Sequence, residues 1–132
     1  MNTCKRWRII IVDDEYDVVY SLRAVLEATK LFQVDGYTGP IVALSNFRPN
    51  TYDLVVLDIK MPVMDGFELY KKIKIIDESV KVCFLTAVND LTEYKFNYSD
   101  VIEEIECGKI DCFMDKPVTS ERLITLISKV IS

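Results

Sequence analysis

The chain has 132 residues, half of them hydrophobic and 28% charged, which suits one globular domain with a real core and is too apolar for intrinsic disorder. Sixteen Lys and Arg stand against 21 Asp and Glu, a formal net charge of −5 and the wrong sign for a protein that coats a nucleic-acid backbone, so direct nucleic-acid binding is not expected. No apolar run approaches the roughly 20 residues a membrane helix needs, and the basic residues near the N-terminus are not followed by a signal-peptide core.

In chain order, the first predicted strand is the apolar run Arg8 to Val12. A helix follows from Asp17 to Leu31, where Val18, Val19, Leu22, Val25 and Leu26 recur at spacings of three and four and form one face. Phe32 to Tyr37 is the second strand. A short helix from Ile41 to Phe47 follows Gly39 and Pro40, and Arg48-Pro49-Asn50 breaks the chain before a third strand, Asp53 to Leu57. Asp65 caps the next helix with Glu68 three positions on, and Leu69, Ile73 and Ile76 are its inward stripe, leaving Lys71, Lys72 and Lys74 mostly outward.

The fourth strand is Lys81 to Leu85. Beyond it, Asp90 with Glu93 can cap a helix that restarts near Ser99. Asp111 to Met114 is the fifth strand, and a last helix runs from Thr119, its N-cap, with Leu123, Ile124, Ile127 and Ile131 as the apolar face. Strands alternating with helices specify a parallel α/β sheet. The first and third runs, IIIV and LVVL, are apolar throughout, as inner strands covered on both faces must be, and are expected to be central neighbours. There is no internal repeat or linker, so residues 1–132 are read as a single domain.

Cys4, Cys83, Cys107 and Cys112 form no CxxC pair, and the chain has no histidine to complete the common zinc patterns, so a reduced cytoplasmic protein is the simplest reading. Cys107 and Cys112 can in principle bridge or bind metal, but buried free cysteines serve equally as small hydrophobes.

The chemistry sits at strand ends. Asp13 and Asp14 follow the first strand and Asp58 the third, and in a parallel sheet those ends share one edge, where ligands bind. Three converging carboxylates repel one another and stay ionised most easily around a hard, oxygen-seeking cation such as Mg²⁺. Lys116 after the fifth strand adds a compact positive charge and Thr86 after the fourth a hydroxyl, a set suited to a tetrahedral dianion. A carboxylate can attack a phosphoryl group to form an acyl phosphate while a cation and a lysine neutralise the equatorial oxygens, and Asp58 is the best-placed nucleophile.

The strings IIIVDDE, LVVLDIKMPVMDG, FLTA and FMDKP resemble, in order and strand context, the receiver domains of two-component response regulators, and the resemblance runs from Ile9 to the last helix. It implies a three-layer, doubly wound, flavodoxin-like fold with a five-stranded parallel sheet in the order 2-1-3-4-5. It further implies a phosphorylation-dependent switch that catalyses its own modification without turning over a metabolite. Asp58 would accept the phosphoryl group. Asp14, Asp58 and the backbone carbonyl of Lys60 would ligate Mg²⁺, with Asp13 acting through water. Lys116 would contact the phosphoryl oxygen, held by a cis peptide bond to Pro117. Thr86 and Phe113 would be the switch pair, and Lys60 and Val88 would tune phosphoryl lifetime. The implied partners are a sensor histidine kinase or histidine phosphotransfer protein and a downstream protein target, acting on a monomer or a phosphorylation-dependent dimer.

The resemblance weakens between Thr86 and Phe113, where 26 residues, including TEYKFNYSD, exceed a compact receiver's segment. Tyr94, Phe96 and Tyr98 there suit a partner-binding patch or the packing of an insertion equally. Phe113 lacks the hydroxyl many relatives carry, so any switching must work by packing alone. Taken singly, Asp13 and Asp14 are ordinary helix-capping candidates, Lys116 a surface lysine and Phe113 a core aromatic. An aspartyl-phosphate hydrolase would need an acid two residues after Asp58, where this chain has Lys60; a receiver degenerated to a binding module would lack the acceptor, the acidic pair or the lysine, and all are present.

Overall fold

The structure, a computed structural model, describes residues 5–87, 103, 104 and 110–132. In chain order the elements are β1 (Trp7–Val12), α1 (Tyr16–Ala28), β2 (Phe32–Tyr37), α2 (Pro40–Asn46), β3 (Leu54–Leu57), α3 (Gly66–Ile76), β4 (Lys81–Thr86), β5 (Cys112–Asp115) and α4 (Ser120–Ile131). The strands form one parallel sheet in the order β2-β1-β3-β4-β5. The order reverses between β1 and β3, whose carboxyl ends lie side by side.

The pleat sorts each strand between two helical layers, because successive side chains point to opposite faces. Ile10, Val12, Val55, Leu57, Val82 and Phe84 pack against α2 and α3 through Phe47, Phe67 and Ile73. Ile9, Ile11, Val56, Cys83 and Leu85 pack against α1 and α4 through Leu22, Leu26, Leu123 and Ile127. The apolar runs IIIV and LVVL are thus explained: every position is inside, whichever way it points.

Several element ends differ from the sequence expectation. Helix α1 stops at Ala28, because Lys30 takes a left-handed conformation (φ 68°) and the Thr29 hydroxyl donates to Leu26 O at 2.7 Å while accepting from Leu31 N at 3.1 Å. Pro40 forms the first turn of α2, where its missing N–H costs nothing. Asp65 caps α3 as expected, accepting from Glu68 N at 2.9 Å. Ile76, expected in the inward stripe of α3, is 37% exposed. The buried position one turn after Ile73 is Asp77, whose carboxylate accepts from Asn50 N at 3.0 Å, Ser79 N at 3.1 Å and Ser79 Oγ at 2.8 Å. These donors, the Asn50 amide foremost, hold the Asp77 carboxyl below the usual carboxylate range against the opposing effect of burial. Lys74 is not fully outward either, since its ammonium donates to Val80 O at 2.6 Å.

The same substitution at two isoleucines of α3 separates the two stripe assignments. Ile73→Ala is expected to cost about 2–4 kcal/mol, as cavity-forming core truncations do, and Ile76→Ala less than about 1 kcal/mol. Urea unfolding of both variants checks this; equal losses would restore Ile76 to the core.

Candidate functional site

The backbone ladder extends one residue past the ends of β1 and β3, and this extension places the acids. Asp13 N donates to Tyr37 O at 3.1 Å and Asp58 N donates to Val12 O at 2.9 Å, so the two residues emerge together at the reversal of strand order. Asp13 is 1% and Asp58 4% exposed, whereas Asp14 faces solvent. One carboxylate oxygen from each of the three lies within 4.8 Å of the others. Neither Asp13 nor Asp14 caps α1: the N-cap is Glu15, without a side-chain cap, and Asp13 Oδ1 instead accepts from Glu15 N at 2.9 Å.

Lys116, just beyond β5, brings its ammonium to 2.8 Å from Asp13 Oδ2, 3.4 Å from Asp58 Oδ2 and 3.7 Å from Glu15 Oε1. The Lys116–Pro117 peptide bond is cis. One cation therefore serves several carboxylates. Burial, then the neighbouring Asp13 charge, pushes the Asp58 carboxyl up to about 7, with Lys116 pulling the other way and Asp14 adding a further push. Burial alone would lower the Lys116 ammonium, but its hydrogen bond to Asp13 and the charges of Asp13, Asp58 and Glu15 outweigh it and raise the value.

The donor set fits a hard divalent cation. Its ligand atoms are all carboxylate oxygens, and Asp13 Oδ2 is buried with no hydrogen-bond partner among the described residues apart from the Lys116 ion pair. A cation among these oxygens would offset the burial and repulsion that raise the Asp58 carboxyl.

The other expected site residues are placed less completely. Lys60 lies two residues beyond Asp58 with its side chain exposed. Thr86 ends β4, paired in register with Asp115, while its side chain, like Val88, lies outside the described residues. Phe113 is half-buried on β5, opposite Phe84, and packs on the α2–α3 side of the sheet. Asp90, Glu93, Tyr94, Phe96, Tyr98 and Ser99 also lie outside the described residues.

Two contributors escaped the sequence reading. Glu15 extends the acidic surround of Lys116. Gly66 lets the start of α3 fold over the loop that follows β3: its N–H donates to Ile59 O at 2.7 Å, and an added Cβ would collide with the Asp58 carbonyl oxygen and come within 2.9 Å of Asp58 C and Ile59 Cα. The Asp-Gly pair at the helix start was visible in sequence, but the backbone it must clear is contributed by Asp58 and Ile59.

Gly66→Ala should therefore destabilise the fold by about 2 kcal/mol or more, since backbone atoms must move to admit the methyl group; a denaturation midpoint matching wild type would refute the close approach. The Asp58 carboxyl gives a second expectation. Its raised value means the folded state holds the proton more tightly, so its stabilising effect is complete below the ordinary value of 3.8 and is lost as pH rises to about 7. In EDTA, Asp58→Asn should gain on wild type across that window, by roughly 2–4 kcal/mol at its upper end. Mg²⁺ should narrow the gap. Thermal unfolding from pH 4 to 8 measures it, and a pH-independent gap would contradict the crowding of charge described above.

Comparison with known proteins places this arrangement in context. Residues 9–128 match the family model described as the response regulator receiver domain. The chain is 33% identical over 127 residues to sporulation initiation phosphotransferase F of Bacillus subtilis, covering 94% of this chain and 93% of that protein. It is 30% identical to the chemotaxis protein CheY of the same organism, covering 95% and 98%. It is also 30% identical to the transcriptional regulatory protein PrrA of Mycobacterium tuberculosis, but spans only 49% of that longer protein. Among solved structures, the non-phosphorylated HemR receiver domain from Leptospira biflexa superposes with a TM-score of 0.79 at 28% identity, covering 96% of this chain and 95% of that one.

Proposed function

The chain belongs to the response-regulator receiver family, and on that premise we propose that it is a signalling switch in which Asp58 accepts a phosphoryl group from a phosphohistidine donor. The observation that carries this reading is the convergence of Asp13, Asp14 and Asp58 within 4.8 Å, with the Lys116 ammonium 3.4 Å from Asp58 Oδ2.

An Asp58 carboxylate oxygen attacks phosphorus as the bond to the donor nitrogen breaks, leaving an acyl phosphate and a neutral imidazole after proton uptake. Only the ionised carboxylate is a nucleophile, and the crowding that lifts Asp58 to about 7 opposes that form. Asp14, Asp58 and the Lys60 carbonyl would hold Mg²⁺, with Asp13 acting through water. When bound, the ion supplies positive charge that restores the Asp58 carboxylate and offsets the oxygens of the transferring group. Lys116, already drawn to the acids, supplies a second positive charge without a change of element.

The phosphoryl group adds about −1.5 to −2 charge and three strong acceptors, which the Thr86 hydroxyl can meet while Phe113 repacks beside it. Lys60 and Val88, each two residues beyond a site residue, would tune how readily water reaches the acyl phosphate. In this reading residues 1–132 act as one domain, and the protein turns over no separate metabolite. It takes phosphoryl from a sensor histidine kinase or a histidine phosphotransfer protein in the cytoplasm and presents an altered surface to a protein target, as a monomer or a phosphorylation-dependent dimer. No described helix is long and apolar enough to cross a membrane.

Incubation with acetyl phosphate or phosphoramidate and Mg²⁺ should add about 80 Da to the intact mass, the increment of one phosphoryl group. Asp58→Ala should abolish the adduct and EDTA should prevent it. Lys116→Ala should slow it by roughly 10²-fold, in line with removal of one positive group from a transition-state clamp. A folded, Mg²⁺-binding protein that forms no adduct would point instead to an interaction module that keeps the fold without the chemistry.

A further inference from the structure

Cys83 on β4 and Cys112 on β5 are direct register partners in adjacent parallel strands. Both side chains belong to the layer between the sheet and α1 and α4, so they project to the same side. Neighbouring strands lie about 4.7–4.9 Å apart, inside the roughly 4.4–6.8 Å Cα separation that a disulfide spans. Both are free thiols. Cys83 is wholly buried, while Cys112 is 9% exposed and lines an open cavity of about 420 Å³ with Asp111, Phe113, Leu126, Lys129 and Val130.

We propose that Cys83 and Cys112 form an oxidisable dithiol, in which a peroxide converts the two thiols to a cross-strand disulfide that staples β4 to β5. Cys112, at the cavity, is the attacking group and Cys83 the resolving one. The Cys83 thiol donates to Phe84 O at 3.8 Å; the adjoining Cys83, chiefly, and the nearby Arg122 lower the Cys112 thiol, whereas burial keeps the Cys83 thiol well above its usual range. The Cys112 sulfur attacks a peroxide oxygen, the O–O bond breaks and one water leaves, giving a sulfenic acid. The Cys83 sulfur then displaces the hydroxyl as a second water, forming the S–S bond. Each sulfur gives up one electron and the peroxide takes two.

The staple sits three residues before Thr86 on β4 and four before Lys116 beyond β5. Fixing the strand spacing at that row constrains both elements that approach Asp58 from this side, so oxidation slows phosphoryl acceptance. This second part rests on the proposed function; the bridge itself does not.

Trypsin cuts after Lys81, Lys95 and Lys109 and so puts Cys83, Cys107 and Cys112 on separate peptides. The full reduced chain, treated with limiting hydrogen peroxide, alkylated and digested without reductant, should yield a Cys83–Cys112 cross-linked peptide. The intact mass should fall by about 2 Da, for two hydrogens lost, and recover with dithiothreitol. Cys112→Ala should remove the cross-link, and Cys83→Ala should leave Cys112 as a trappable sulfenic acid. Both cysteine peptides recovered alkylated, or a bridge from Cys112 to Cys107 or Cys4, overturns the site, and this map of the wild-type chain needs no variant to fold. Acetyl phosphate labelling of the oxidised chain should be at least threefold slower than that of the reduced chain. Equal rates with the bridge formed overturn the coupling alone, and no labelling of the reduced chain tells against the phosphoryl reading without touching the bridge.

Discussion

Two buried carboxylates held against a single ammonium are the constraint around which this site is organised. Asp13 and Asp58 are almost fully removed from water, and Lys116, shared between them, cannot neutralise both. Burial and mutual repulsion leave Asp58 balanced between its protonated and ionised forms near neutral pH. Isolated charges in such a place would be destabilising. A cation among these oxygens would relieve the burial and repulsion that raise the Asp58 carboxyl.

The scaffold meets this demand by simple means. The reversal of strand order puts the ends of β1 and β3 together, and ladder bonds from Asp13 N and Asp58 N carry the pairing one residue beyond each strand. Gly66 then allows α3 to begin directly over the Asp58–Ile59 backbone. Beneath the site, alternate side chains of the same strands fill two separate apolar layers, so the acids stand on a packed floor that resists rearrangement.

The edge contributed by β4 and β5 is chemically different from the centre. Its rows pair Cys83 with Cys112, Phe84 with Phe113 and Thr86 with Asp115 before the chain reaches Lys116. A soft, oxidisable row and an aromatic row thus lie directly behind the residues nearest the proposed phosphoryl position.

The strands, the helical faces and the acids at strand ends were legible in the sequence because each rests on a local pattern: continuous apolar runs, spacings of three and four, and a charge just after a strand. Val19, Leu22 and Leu26, or Leu123 and Ile127, face inward wherever the helix is docked, since periodicity alone defines a stripe. Ile76 departed from its pattern because the helix end was decided by Asp77, whose partners are Ser79, two residues on, and Asn50, from the loop before β3. The sharing of Lys116, the collision that reserves position 66 for glycine and the pairing of Cys83 with Cys112 across 29 residues were likewise decided only by tertiary structure. Each depends on strand register and on backbone atoms distant in the chain, and no local periodicity encodes those distances.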